Sequence, residues 1–396
     1  MMARALPRNR ADAEAEATRE PVDSPTNRLV DSPRMSGVAS DTWIVGLGEA
    51  RTAPLLDDVS INELAWEAVA PALGEAGVAL AEVTGAVTAS QDFWDGRTIS
   101  SMNVNEVACG AYGSEAKVAA DCAQAIGYAC ARIDDGDQHL NVVVAHAKES
   151  EGDAHTIELA AFDPYYERQI DPDETIVAAF QASLLYARGG ASAERCARIV
   201  AAARARSTVL EPVSVEDVLA SAQTATPLRV LDRAPLMDTA AAMVICCGDR
   251  RLKLDRPAVR IVGTATRTGA YWRERADLAA IPQAAEALRE ALERADWGRG
   301  DIDIVELAAP FAHQHMMLGE ALGLGSGDGL VERFERGEIN QSGGWLAGSA
   351  GSVAGLRAVL AATRRLRDGD GRRALICATS GLAAQSHHVV LLEAGV

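Results

Sequence analysis

Residues 42–54 read TWIVGLGEARTAP, and residues 259–270 read VRIVGTATRTGA. Each is a short apolar strand holding a glycine, Gly46 in the first and Gly263 in the second. Each ends on an Arg-Thr pair, Arg51-Thr52 and Arg267-Thr268. A helical pattern follows each strand. INELAWEAVAPALGEAGV (61–78) and IPQAAEALREALERADW (281–297) both space their apolar residues for one helix face. Both helices then run through an acidic turn into a second strand, AEVTGAVTA (81–89) and DIDIVELAA (301–309).

The match returns further along. AKVAADCAQAIGYACARIDDGDQHLNVVVAHAKES (116–150) and GSVAGLRAVLAATRRLRDGDGRRALICATSG (351–381) share one order: small-residue helix, Asp-Gly-Asp turn, apolar strand. Asp135-Gly136-Asp137 matches Asp368-Gly369-Asp370. Ala119, Ala120 and Ala123 in one copy, with Gly351, Ala354 and Gly355 in the other, predict two helices packed closely. Two αβ pairs repeated in the same order mark an internal duplication. The continuous apolar strands VVVA and ALICA predict sheets covered on both faces. The expected fold is α/β, two similar αβ halves packed in layers. Residues 1–41 read as a disordered tail rich in charge, proline and serine. Residues 42–250 are the first half, with an insertion at 151–230, and residues 251–396 are the second.

The net charge of −18 argues against a broad nucleic-acid or anionic-membrane surface. No apolar run is long enough to span a bilayer and no secretory leader is evident, so a cytoplasmic protein is expected. The seven cysteines show no metal-ligand spacing and read as reduced, mostly buried thiols. No metal is expected.

The duplicated pattern with its insertion resembles the thiolase superfamily over about residues 42–396. VVVAHAKES (142–150) resembles the family's A-G-G-x-E-S strand end, with Glu149-Ser150 aligned. APLMDTAAAMV (234–244) is similar to its D-G-A-A-A stretch, with Asp238 in place. VELAAPFA (305–312) resembles E-x-N-E-A-F-A, retaining Glu306, Phe311 and Ala312. NQSGGWLAGSAGSVAGLR (340–357) resembles the glycine-rich loop that carries G-H-P, one residue shorter. The resemblance implies a layered α/β/α/β/α fold and an acyl-coenzyme A substrate.

The catalytic positions depart from the family's. Its nucleophilic cysteine, placed at a helix start where the dipole favours thiolate, falls on Ala119. Cys122 is one turn later and reads as a buried helix cysteine. The water-orienting asparagine falls on Ala308, the G-H-P histidine on Ser349 and its proline on Ala350. The second cysteine falls on Thr379, or on Cys377 with a two-residue shift. A two-step acyl transfer is therefore not expected.

The remaining candidates are His313, as a general base near neutral pH, with Ser349, Cys377 and Thr379. Phe311, Gly343, Gly344, Trp345, Gly348 and Gly381 are expected to bind substrate, with backbone N–H groups of the 343–348 loop and Gly381 as an oxyanion hole. His313 and His315, two apart, cannot share a helix face and read as one surface and one packing residue. His387-His388 read as a structural pair entering the last strand. Gln91-Asp92-Phe93-Trp94-Asp95-Gly96-Arg97 reads as a turn, and the resemblance implies a subunit contact there. The arginines of AERCARIVAAARARS (193–207) read either as a solvated basic face or as a phosphate-facing lid, in which Arg204 and Arg206 would hold the coenzyme.

Three functional classes follow. The first is a thiolase-like enzyme of lipid metabolism, similar to the sterol-carrier-protein-x and lipid-transfer thiolases, running non-standard carbon–carbon chemistry such as a retro-aldol on a coenzyme A thioester. The second is a non-catalytic subunit beside an active paralogue or a zinc-ribbon/OB-fold partner. The third is an acyl-CoA or lipid binder. A homodimer is expected, and no permanently bound cofactor.

Overall fold

The computed structural model describes residues 41–94, 100–110, 113–251, 253, 258–270 and 277–395. Residues 1–40 of the expected tail, and Asp95-Gly96-Arg97 of the expected contact turn, lie outside the described residues. The first half supplies β1 (Thr42–Glu49), β2 (Gly85–Ala89), β3 (Ser114–Val118), β4 (Leu140–Lys148) and β5 (Asp238–Cys247). The second supplies β6 (Val259–Thr268), β7 (Ile304–Ala308), β8 (Arg373–Ser380) and β9 (Ser386–Ala394). The main helices are α1 (Ile61–Ala76), α2 (Cys122–Asp134), α3 (Glu174–Ala187), α4 (Ala193–Arg204), α5 (Pro282–Ala295), α6 (Ala312–Ala321), α7 (Gly327–Arg336) and α8 (Ala354–Asp368).

The nine strands pair in the order β3-β2-β4-β5-β1-β6-β9-β8-β7. β1 and β6, the two copies of the opening stretch, meet antiparallel at the centre, with Thr42 opposite Ile261. Outward from that seam both halves run first, fifth, fourth, second strand. In the first half β3 follows, parallel to β2. In the second, the third strand has shrunk to a single parallel bridge between Val305 and Ile339. The duplication read from sequence is thus a repeated strand order.

The glycines of the repeated stretch have a packing cause. A Cβ on Gly46 would lie 2.0 Å from Ala72 O, and one on Gly48 1.9 Å from Ala68 O, because α1 lies directly on β1. Gly263 stands in the same relation to α5, with Ala291 O at 2.6 Å from such a Cβ. The helix backbone occupies the space a side chain would need.

Strand alternation sorts the core into layers. Along β5, Ala240, Ala242, Val244 and Cys246 face the cluster with α1, while Ala241, Met243 and Ile245 face the cluster holding α2 and α8. Along β9, Val390 and Leu392 join that same central cluster, while Val389 and Leu391 face α5 and α6. This is helix, sheet, paired helices, sheet, helix. The 151–230 insertion is itself largely helical, with α3 and α4 flanked by short helices at Ala154–Ala160 and Val215–Ala220. All seven cysteines are free, and six are buried. Among the described residues no helix is long and apolar enough to cross a membrane, and no group of side chains could hold a metal ion.

Candidate active site

The two central helices meet at their N-termini, and Asp121 joins them. It caps α2 by accepting from Ala123 N–H at 2.8 Å, and its other oxygen accepts from Gly355 N–H of α8 at 2.9 Å. Cys122 N–H donates to Ser352 O at 3.0 Å, closing the junction. Gly355 is required here, since a Cβ would fall 1.9 Å from Asp121 Oδ1. The small residues of both helices therefore make room for a buried carboxylate as well as for each other.

Glu149 follows the end of β4 and reaches the same place. Its oxygens accept from Gly351 N–H at 2.8 Å and from Met237 N–H at 2.9 Å. Asp121 and Glu149 both line a cavity of about 200 Å³, walled by Trp94, Ile157, Leu236, Trp345 and Leu382. Neither makes an ion pair with a described residue. Burial pushes both carboxyls up to about 7, against the pull of their backbone donors.

Across the cavity, Arg233 bridges Glu158 at 2.7 Å and Glu174 at 2.9 Å, and donates to Thr175 Oγ1 at 3.0 Å. Its guanidinium lies over the Phe311 ring, 5.5 Å from the centroid. Burial pushes Glu174 up to about 7 even beside Arg233. The lining thus holds four carboxylates and one arginine, with apolar walls. Carboxyls so poised exchange protons readily at neutral pH.

The expected residues divide around this cavity. Thr379, Gly381 and Trp345 line it. Thr379 Oγ1 donates to Ala308 O at 3.3 Å, and Trp345 Nε1 donates to Ser349 O at 3.1 Å. Cys377, two residues deeper on β8, is packed in the core with its thiol pushed up to about 12. Cys122 is buried, and burial with the adjacent Asp121 holds its thiol protonated. Ala119 is exposed ahead of α2 and Ala308 is buried at the end of β7. Phe311 packs beneath Arg233 in a small apolar cluster and is not part of the cavity wall.

His313 and His315 are both fully buried, which corrects the expected surface–packing division. Residues 312–319 of α6 are all buried, so helical spacing did not separate inside from outside. His313 Nε2 meets Gln181 Oε1 at 3.0 Å, and burial pushes its pKa down to about 3. It remains neutral and outside the cavity lining. His388 bridges Ser380 and Thr266 at 2.9 and 3.1 Å.

The loop's expected oxyanion role meets a direct obstacle. Asn340 pins the loop to Leu307 by two hydrogen bonds of 2.5 and 2.9 Å. Within the loop, Gly343 N–H is taken by Asn340 O, Gly344 N–H by Ser342 Oγ, and Gly348 N–H by Trp345 O. These donors hold the turn and do not point at the cavity. Gly344, Gly348, Ser349 and Arg206 face a second cavity on the loop's other side. Gly343 is packed against Ala347 and Ala203. Arg204 is buried, and Arg195 and Arg198 pair with Asp328 and Glu335 of α7, so most of the basic strip joins two helices.

Asp121, Glu158, Glu174 and Arg233 are not among the residues expected from sequence, where Glu149 serves only to set register. An acid ahead of a small-residue helix was the available signal for Asp121. Arg233 and Glu158 lie 75 residues apart and carry no local signal.

These groups predict a stability profile. Asp121, Glu149, Glu174 and Glu306 keep protons when folded that the unfolded chain releases near its ordinary 3.8–4.5, so their contribution fades as pH rises through 7. His313, His315, His387 and His388, pushed down to about 3 or 4, stay neutral when folded. The unfolded chain protonates them below about 6.5, so their contribution fades as pH falls. The two sets offset between about pH 5 and 6. Thermal scans should place maximal stability there, with roughly 2 kcal/mol lost by pH 8; a melting temperature climbing from pH 6 to 8 would contradict these assignments.

No family model matches the chain. Over 132 residues it is 33% identical to an acetyl-CoA acetyltransferase of Methanothermobacter thermautotrophicus, 33% of each chain. Over 150 residues it is 29% identical to the benzoylsuccinyl-CoA thiolase subunit BbsB of Thauera aromatica, 36% of this chain and 39% of that one. The matches thus span little more than a third of either curated relative. Among solved structures, an Ltp2–ChsH2(DUF35) aldolase superposes with a TM-score of 0.75 at 20% identity, covering 90% of this chain and 98% of that one. The repeated strand order, the layered core and these likenesses agree: the chain has the layered fold of the thiolases.

Proposed function

We propose that the protein cleaves or forms a carbon–carbon bond in a coenzyme A thioester by retro-aldol chemistry, with Glu149 and Asp121 as the acid–base pair. The carrying observation is that two buried carboxyls, each poised near pH 7, face one cavity while the thiols lie in the core. In the cleavage direction a carboxylate takes the β-hydroxyl proton. The Cα–Cβ bond breaks, its electron pair enters the thioester enolate, and the β-carbon leaves as a carbonyl. The other carboxyl, protonated, delivers a proton to Cα. Gly381 lies at the cavity, where its backbone can meet the enolate oxygen. The likeness to an aldolase supports this direction. The site departs from the family's cysteine-based acyl transfer, and the reading places the reaction in cytoplasmic lipid or acyl-CoA metabolism.

The test is a panel of β-hydroxyacyl-CoA and β-ketoacyl-CoA thioesters. The expected result is a free carbonyl product with a shortened acyl-CoA from the hydroxy series alone. Thiolytic cleavage of β-ketoacyl-CoA, or no turnover even with neighbouring gene products added, would overturn the reading.

A second reading, a subunit working with a homologous copy, an active paralogue or a zinc-ribbon/OB-fold protein, is favoured by one surface. Tyr165, Tyr166 and Ile170, all beyond 75% exposed, stand in the insertion with exposed Phe180. Apolar groups so exposed mark contact surfaces. The triple variant Tyr165→Ser, Tyr166→Ser, Ile170→Ser is expected to lower the mass seen by light scattering to that of one chain. An unchanged mass at unchanged folding would remove this surface from the assembly.

A further inference from the structure

The glycine-rich loop that carries Trp345 toward the carboxylate cavity has a second side. There the loop, the turn at Arg206–Thr208 and α8 enclose another cavity, of about 240 Å³. Three arginines reach it, Arg206, Arg357 and Arg364, against one carboxylate, Glu49. Glu49 is divided between Arg357 at 3.2 Å and Arg364 at 2.8 Å. Arg357 also donates to Gly348 O at 2.8 Å. Arg206 donates to the carbonyls of Ala202 and Glu335, each at 2.7 Å. These neutral acceptors fix the guanidinium without cancelling its charge. A further acid, Glu306, lies behind Ser342, whose hydroxyl donates to it at 2.6 Å. Burial pushes Glu306 up to about 7, so near neutral pH it carries about half a charge. Positive charge prevails in this cavity of a strongly acidic protein.

A second observation selects the same place. Ser349 lines this cavity, is 2% exposed, and its hydroxyl has no hydrogen-bond partner. A buried hydroxyl left unpaired is costly, and a ligand oxygen would relieve that cost. Guanidinium groups around a free hydroxyl donor are the chemistry that recognises an oxyanion.

We propose that this cavity is an oxyanion site that takes a phosphate group between Arg206, Arg357 and Arg364, with Ser349 Oγ donating to it. Two sources share that chemistry: inorganic phosphate, and the phosphates of an adenine nucleotide such as the one coenzyme A carries. The site stands apart from the carboxylate cavity and does not depend on the reaction assigned there.

Calorimetric titration of the full chain with inorganic phosphate and, separately, with adenosine 3′,5′-bisphosphate tests it. At least one is expected to bind with a Kd of about 1 mM or tighter, weakening as salt rises. Arg364→Ala and Ser349→Ala should each weaken binding by about tenfold. Arg364 is half-exposed, so its replacement spares the fold, and Ser349→Ala removes a hydroxyl that bonds to nothing, so its melting temperature should hold or rise. Equal affinity for both probes identifies free phosphate as the ligand. Affinity at least about tenfold tighter for the bisphosphate identifies the nucleotide. No heat from either up to about 20 mM, or binding indifferent to both substitutions, overturns the site.

Discussion

Glu149→Gln is expected to lower turnover of a β-hydroxyacyl-CoA thioester by about 10²–10⁴-fold, the span a positioned acid or base contributes. The amide cannot titrate, so the ionisation near pH 7 carried by Glu149 should vanish from the residual activity. The carboxylate also holds two backbone N–H groups, of Gly351 and Met237. An amide can accept only one well and turns an NH₂ toward the other, costing about 1–3 kcal/mol. Stability must therefore be followed in parallel. A purely structural role would give a less stable protein whose remaining activity keeps its pH profile. Loss of activity together with the ionisation, at modest cost in stability, identifies the acid–base group. Asp121→Asn should behave alike, since Asp121 holds Ala123 and Gly355 in the same manner. A Glu149→Gln enzyme within about threefold of the parent would remove Glu149 from the chemistry.

The sequence was most legible where a local constraint repeats. Gly46 and Gly263 recur because a helix backbone presses on each strand, so the duplication could be read before any contact was known. The loop at 340–351 was legible for the same reason. Asn340 and the positive-φ glycines Gly343, Gly344 and Gly348 are backbone requirements, and they leave a recognisable spacing. The cavity was much less legible. Its acids come from separate places: Asp121 at a helix cap, Glu149 past a strand end, Glu158 and Glu174 in the insertion. Only tertiary packing within the first half brings them together. His313 shows the converse. A histidine beside a family-like motif suggests a base, but the burial that sets its pKa depends on α3, whose Gln181 covers it from 132 residues away. Titration depends on surroundings, and surroundings are tertiary.

Arg233 carries the second large effect. Arg233→Met should destabilise the protein by about 3–5 kcal/mol at pH 8, because it leaves two carboxylates facing each other without their cation. Glu158 is largely buried and Glu174 sits beside it, with Glu174 N–H donating to Glu158 Oε2 at 2.9 Å. Without Arg233, protonation is the remaining way to relieve the pair, which raises folded-state affinity for protons further above the unfolded value of 4.5. A group raised in this way stabilises most at low pH and loses that contribution as pH rises. The penalty should accordingly shrink toward pH 5, which urea denaturation at pH 5 and pH 8 would measure. Equal penalties at both would mean that lost packing over Phe311, not charge, is what the substitution removes. The same change reaches the chemistry. Arg233 also pulls the Glu149 carboxyl downward, so its removal should move the acidic limb of the rate profile to higher pH. A limb that stays in place would place the titrating group elsewhere. One arginine thus supports the insertion against the core and sets the pH at which the proposed base is free to act, and a pair of measurements on one variant separates the two roles.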